Sequence, residues 1–275
     1  MYGVDNLSHD NLMMQYSYYA LSDPGQVRAN NEDAFVFDDT LGLALLADGM
    51  GGYNAGEVAS NMATTLIKTA LSPRLALNGK ALAPAQIAQA ISASVEAVNR
   101  QILDESISNA DYAGMGTTVV AGVFQGAKLV LGHVGDSRCY RLRGSSLKQI
   151  TKDHSMLQEQ VDAGFLTREQ AAVAPGKNLL TRALGVEEVV KVDVHVHVVQ
   201  EGDLFLMCSD GLSDMIDDSA ISVVLNGGKP LADMAEELVK QANANGGRDN
   251  VTVLLVKASG QAEKVGLMSR LFGKQ

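Results

Sequence analysis

Residues 43–60 read LALLADGMGGYNAGEVAS: an apolar, strand-like run ends on an aspartate, passes through closely spaced glycines and only then turns helical. A glycine-rich turn between strand and helix first suggests a phosphate cradle. The spacing excludes the familiar kinds. A P-loop ends in Gly-Lys-Ser/Thr and a dinucleotide turn reads G-x-G-x-x-G, whereas Gly49, Gly51, Gly52 and Gly56 follow neither and no lysine is present. What remains is Asp48 at a strand end, beside backbone free to bend sharply.

Outward from this stretch, residues 16–21, 34–37, 41–47, 117–124, 128–134, 138–142, 190–199, 203–208 and 251–256 read as strands. They are short, rich in Val, Leu and Ile, and bounded by Gly, Asp or Asn. Residues 56–71, 84–106 and 231–242 space their apolar residues as helices do. Most connections are hairpin-length, which predicts an α+β fold: a two-sheet antiparallel sandwich with pairs of helices on its outer faces. Residues 151–181 break the pattern with two short helices, the first over 155–163 with Ser155 and Gln158 spaced as a capping box, followed by Pro175 and Gly176. They read as an inserted flap. The expected organisation is an N-terminal extension over 1–13, one domain over 14–258, and a C-terminal tail over 259–275. Within the tail, Val265, Met268, Leu271 and Phe272 share one helical face beside Lys264, Arg270 and Lys274, and a frayed terminus is favoured over a membrane-surface or partner helix.

The 275 residues, 46% of them hydrophobic and 20% charged, have an ordinary globular composition. A formal net charge of -10 argues against nucleic-acid binding, which rests on clustered Lys and Arg. Cys139 and Cys208 lie in apolar runs and read as core residues of a reduced protein. The first thirteen residues contain no basic residue and lead into no signal-like apolar run, and no run is long enough to span a bilayer. The expected location is the cytoplasm.

Aspartates recur at strand ends. Asp48, Asp136 and Asp210 follow LALLA, LVLGHVG and LFLMCS, while Asp33 and Asp249 precede AFVF and NVTVLLV. In antiparallel sheets one strand's end lies beside its neighbour's beginning, so all five can gather at one edge. Singly, each reads as a turn residue. Together, in contexts with no obvious counter-charge, they would repel one another unless cations neutralise them. All-oxygen ligands select Mg²⁺ or Mn²⁺ rather than Zn²⁺. Two such ions can share a water, lower its pKa and stabilise an in-line displacement at phosphorus, which points to a phosphate-ester hydrolase. Arg28, five residues before Asp33, can face the same edge, where its planar fork suits a phosphoryl group. His195 and His197 alternate with valines beside Asp193 and read as a solvated strand face rather than a metal site. His133 reads as core and His154 as a hydrogen-bonding residue at the start of the flap.

The ordered motifs GQVRANNEDA, ADGMGGYNAGEVAS, GMGTTVVAGVF, GHVGDSRCYRLR, ITKDHS, LTRALG, LMCSDGLSDMI and GGRDNVTVLLV resemble those of bacterial metal-dependent Ser/Thr protein phosphatases of the 2C type, the PPM family, across residues 17–257. The resemblance implies a β-sandwich between helix pairs with two tightly bound Mn²⁺ or Mg²⁺ ions and a weaker third. It makes Asp48 the carboxylate bridging both metals. The Gly49 carbonyl, Asp33, Asp210 and Asp249 become further ligands, Asp136 the third-metal ligand, and Glu32 a group acting through water. Arg28 becomes the substrate-phosphate residue and 151–181 the flap that influences substrate choice. Eukaryotic relatives carry histidine at the place of Met50, and many bacterial ones at that of Tyr53; this chain has neither. Tyr53 is therefore a candidate proton donor or water-orienting residue. The implied substrates are phosphoserine and phosphothreonine proteins, opposing a Ser/Thr kinase. A catalytically silent binding module and a small-ester phosphatase are the alternatives.

Overall fold

The computed structural model describes residues 13–52, 55–76, 81–176 and 179–261. Residues 1–12, Tyr53 and the tail beyond 261 lie outside the described residues, and with them the expected extension, the candidate proton donor and the amphipathic tail face.

Two antiparallel sheets form the centre. One runs β1 (Met13–Asp23), β11 (Val251–Gln261), β10 (Leu204–Cys208), β7 (Arg138–Arg143) and β8 (Ser146–Gln149). The other runs β2 (Asp33–Asp38), β3 (Leu43–Met50), β5 (Val119–Gln125), β6 (Lys128–Val134) and β9 (Asp193–Val198), with β4 (Gly116–Thr117) on the end of β3. Helices α1 (Ala55–Leu75) and α2 (Pro84–Ser108) cover the second sheet. Helices α5 (Asp210–Ser213), α6 (Asp218–Leu225) and α7 (Leu231–Ala244) cover the first. This is the expected layering.

Alternation along the strands builds it. In β3, Leu43, Leu45 and Ala47 pack toward α1 and α2, whereas Ala44 and Leu46 enter the layer between the sheets. In β10, Leu206 and Cys208 meet α5–α7, while Phe205 and Met207 meet the other sheet. Both faces of these strands are buried, so they read as unbroken apolar runs rather than as alternating ones. Cys139 and Cys208 are free and buried.

Several elements depart from the sequence expectation. The run expected over 117–124 divides into β4 and β5. β11 continues to Gln261 because its ladder with β1 extends to the Met13–Gln261 pair, so strand structure reaches three residues past the expected boundary at 258. β8, SLKQ, has too little apolar character to be seen, and its hairpin with β7 forms it. α6 is announced only by its cap: Asp217 accepts the Ala220 N–H at 2.8 Å. In the flap, α3 (Met156–Asp162) and α4 (Arg168–Val173) form as expected, but the expected box at Ser155 is only half made: Ser155 accepts the Gln158 N–H while the Gln158 side chain turns to Asp162, and the full box forms at Thr167 and Gln170 instead. No helix among the described residues is long and apolar enough to cross a membrane.

Candidate active site

β2 and β3 pair so that Asp33 stands directly opposite Asp48. On the other sheet, Asp210 follows the end of β10 and Asp249 precedes the start of β11, its antiparallel neighbour. Asp136 lies in the link that crosses from β6 to β7, from one sheet to the other. The expected gathering of the five aspartates occurs where the two sheets meet. Ser209 joins them, its hydroxyl donating to Asp33 Oδ2 at 2.7 Å while accepting the Thr252 N–H at 3.0 Å.

Polar neighbours hold each carboxylate in place. Thr118 Oγ1 accepts the Asp48 N–H at 3.0 Å, and the Thr118 N–H donates to the Asp48 carbonyl at 2.9 Å. The same hydroxyl lies 2.8 Å from Ser137 Oγ, tying the strand end of Asp48 to the turn of Asp136. Asn250 Oδ1 accepts the Glu32 N–H at 2.7 Å, and its amide donates to the carbonyls of Pro24 and Asn30 at 3.0 and 2.8 Å. None of these supports was singled out from sequence. For Ser209 and Asn250 the signal available was a polar residue beside an acidic one, in CSDG and RDNV; Thr118, in GTTVV, meets Asp48 only across 70 residues of sequence.

Gly49 and Gly56 let backbone crowd here. A Cβ on Gly49 would strike the Gly56 carbonyl oxygen and stand 2.6 Å from that of Glu32; one on Gly56 would stand 2.7 Å from Glu32 Oε2. Strand end and helix start therefore meet backbone to backbone, with the Glu32 carboxylate set against Gly56.

Burial pushes the carboxyls of Asp48, Asp33 and Asp210 above the ordinary carboxylate range, and neighbouring carboxylates add to it: Asp33 and Asp210 for Asp48, Asp210 and Asp249 for Asp33, and Asp214 and Asp249 for Asp210. Asp136 is raised likewise, by burial first and then by Asp210 and Asp153. Arg138, the nearest cation in sequence, does not pair with it; its guanidinium is turned to Asp153 at 2.7 Å and to the Tyr140 hydroxyl at 3.0 Å. Asp249 departs from the expectation of no counter-charge, because Arg28 Nη2 reaches its Oδ2 at 2.7 Å across 221 residues of sequence. The Arg28 side chain is 50% exposed, which puts it at the mouth of the acidic centre.

Two features test whether divalent cations fit. Asp33 Oδ1 is buried without a hydrogen-bond partner, and the Asp33, Asp48 and Asp210 carboxyls are all raised by burial and by neighbouring carboxylates. A cation would give that oxygen a partner and offset the repulsion. The residues fit.

The comparisons agree with this geometry. The family described as protein phosphatase 2C matches residues 26–255. Serine/threonine phosphatase stp of Listeria welshimeri is 40% identical over 239 residues, covering 86% of this chain and 93% of that protein. The Mycobacterium tuberculosis serine/threonine phosphatase PstP/Ppp superposes with a TM-score of 0.80 at 39% identity, over 89% of this chain and 99% of its own. The PstP catalytic domain in complex with two manganese ions gives a TM-score of 0.76 at 39% identity, over 90% and 99%. The chain belongs to the protein phosphatase 2C family.

Proposed function

We infer that the acidic centre hydrolyses phosphoserine and phosphothreonine esters in proteins. The protein is a metal-dependent serine/threonine phosphatase. The observation that carries this reading is the cross-strand opposition of Asp33 and Asp48, with one buried oxygen of Asp33 left unpartnered. Family membership and the manganese-bound PstP structure support it.

In this reading Asp48 would serve both of two Mn²⁺ or Mg²⁺ ions, and Asp33, the Gly49 carbonyl, Asp210 and Asp249 would complete their protein ligands. Asp136 serves a weaker third ion and Glu32 acts through water. When bound, the ions supply a water nucleophilic near neutral pH and offset charge on the phosphoryl oxygens. Arg28 binds the substrate phosphate: exposed and already turned inward toward Asp249, it can offer two parallel N–H donors. The serine or threonine alkoxide needs a proton as it leaves, and Tyr53 or a water held near Asp136 delivers it.

The catalytic domain, expected over 14–258, takes in the whole β1–β11 ladder from Met13 to Gln261, with 151–181 as its flap. Buried free thiols suit a reducing cytoplasm. There the protein would oppose a Ser/Thr kinase on shared phosphoprotein substrates. The test is manganese-dependent phosphate release from a phosphothreonine peptide by the wild type and by Asp210→Asn. Metal-independent release, or none from the wild type, overturns the reading.

A further inference from the structure

We propose that His154 is a positioning residue that locks the root of the flap to the turn carrying Asp136. The inference rests on the placement of Asp136 in the catalytic centre made above.

His154 and Gly135 hold each other by two hydrogen bonds. The His154 main-chain N–H donates to the Gly135 carbonyl at 2.9 Å, and the Gly135 N–H donates to His154 Nδ1 at 3.1 Å. Gly135 immediately precedes Asp136. Its φ of +103° and its closeness to Thr118, whose Cγ2 lies 2.6 Å from where a Cβ would be, exclude a side chain there. The histidine thus grips the one peptide that must bend to present Asp136 beside Thr118, the support of Asp48.

The rest of His154 is tied to the flap. It lies one residue before the N-cap of α3, and its carbonyl accepts the Thr181 N–H at 2.9 Å, closing the flap's two ends on each other. The Met156 N–H donates to the Leu179 carbonyl at 2.9 Å and continues the closure. On the other ring edge, His154 Nε2 lies 3.2 Å from Asp193 Oδ2, and Arg182, just past Thr181, donates to Asp193 Oδ1 at 3.2 Å. Because Nδ1 accepts, the neutral ring carries its proton on Nε2 and points it at Asp193. His133, Asp193's partner across β6 and β9, stacks on the ring with centroids 4.7 Å apart and an interplanar angle of 14°. His133 is itself fixed through Nε2 to the Lys152 carbonyl at 2.9 Å.

The ligand atoms of His133, His154 and Asp193 all lie within 4.8 Å of one another, which also raises the possibility of a second metal site. Geometry decides against it. Lone pairs in two stacked ring planes do not converge on one ion, and the Arg182 guanidinium already lies 3.2 Å from both His154 Nε2 and Asp193 Oδ1. The cluster is a brace with its cation built in.

Two substitutions separate the ring's nitrogens. In His154→Asn the amide oxygen can stand in for Nδ1 and keep the Gly135 bond; in His154→Gln the amide nitrogen instead reaches Asp193 as a donor and the Gly135 bond is lost. With metal removed, hydrogen exchange over 134–140 should stay slow in the wild type and His154→Asn and quicken in His154→Gln. With manganese, His154→Gln should lose up to about 10²-fold in kcat on a phosphothreonine peptide, the scale of a small misplacement near the reacting groups, while KM holds and His154→Asn recovers most of the loss. Equal exchange and equal kcat in the two variants overturn the proposal. Long-range ¹⁵N–¹H correlation on the wild type gives a check independent of variant folding: Nδ1 should be unprotonated, and a proton on Nδ1 refutes the clamp. If the wild type releases no phosphate, the assigned function fails while the exchange and tautomer results still judge the brace.

Discussion

Asp33 and Asp48 are cross-strand partners in the β2–β3 ladder, and both carboxyls are pushed upward by burial and by neighbouring carboxylates. Like charges directly opposite each other destabilise a sheet. Their placement is tolerable only with protons or cations between them.

Asp48→Asn, Asp210→Asn and Asp249→Asn should each remove most activity at low manganese, because each weakens the charge balance that holds the ions. Loss of a metal contribution of several kcal/mol corresponds to a rate loss on the order of 10²-fold or more. The fold should survive, since the exchange is nearly isosteric and relieves repulsion. Initial rates against manganese concentration check this; wild-type turnover with unchanged metal dependence refutes the assignment.

The metal-free protein should lose stability as pH rises. The folded-state carboxyl values are raised, to about 6 for Asp210, about 7 for Asp33 and about 8 for Asp136. Raised groups contribute stability that is fully present below the unfolded value of about 4 and is lost as pH passes through the folded values. Thermal melts with chelator should therefore fall from about pH 5 to about pH 8, and manganese should restore the loss. A chelated protein whose Tm holds or rises over that range contradicts it.

Gly49→Ala should be costly at both levels. Its Cβ would strike the Gly56 carbonyl and press on that of Glu32, so a destabilisation of about 1–3 kcal/mol is expected, the range for overpacking. Metal binding should weaken with it. Denaturant melts and manganese calorimetry measure the two effects.

Arg28→Lys keeps the charge but not the planar fork, so KM for phosphopeptide should rise about tenfold or less, with Arg28→Ala worse. Manganese affinity should not fall, since removing the partner of Asp249 frees a carboxylate oxygen. An unchanged KM removes Arg28 from substrate binding.

Leaving-group dependence locates the proton donor. p-Nitrophenolate departs without protonation, whereas a serine alkoxide does not, and general acid catalysis is typically worth about 10²–10⁴ in rate. If Tyr53 is the acid or orients it, Tyr53→Phe should slow phosphopeptide hydrolysis far more than p-nitrophenyl phosphate hydrolysis. Equal slowing reduces Tyr53 to a loop-positioning role. Asp136→Ala measured in parallel should retain two tight ions yet lose turnover, and a loss confined to phosphopeptide moves the donor to water near Asp136.

Most of the fold was legible in the chain itself. Doubly buried strands show as apolar runs, α1, α2 and α7 show by periodicity, and each aspartate of the centre stands at a strand end. Elements with little apolar signal were not: β8 exists because β7 offers it a ladder, and β11 reaches Gln261 because β1 does. The sequence by itself determined which residues bear the chemistry and in what order. Only the tertiary structure decided which of them touch. Arg28 meets Asp249 across 221 residues, Ser209 meets Asp33 across 176, and His154 closes on Gly135 across 19. Such pairs depend on strand register, on which sheet each strand joins and on where a turn bends, and these are settled by packing two sheets and two helix layers together rather than by any local run of residues.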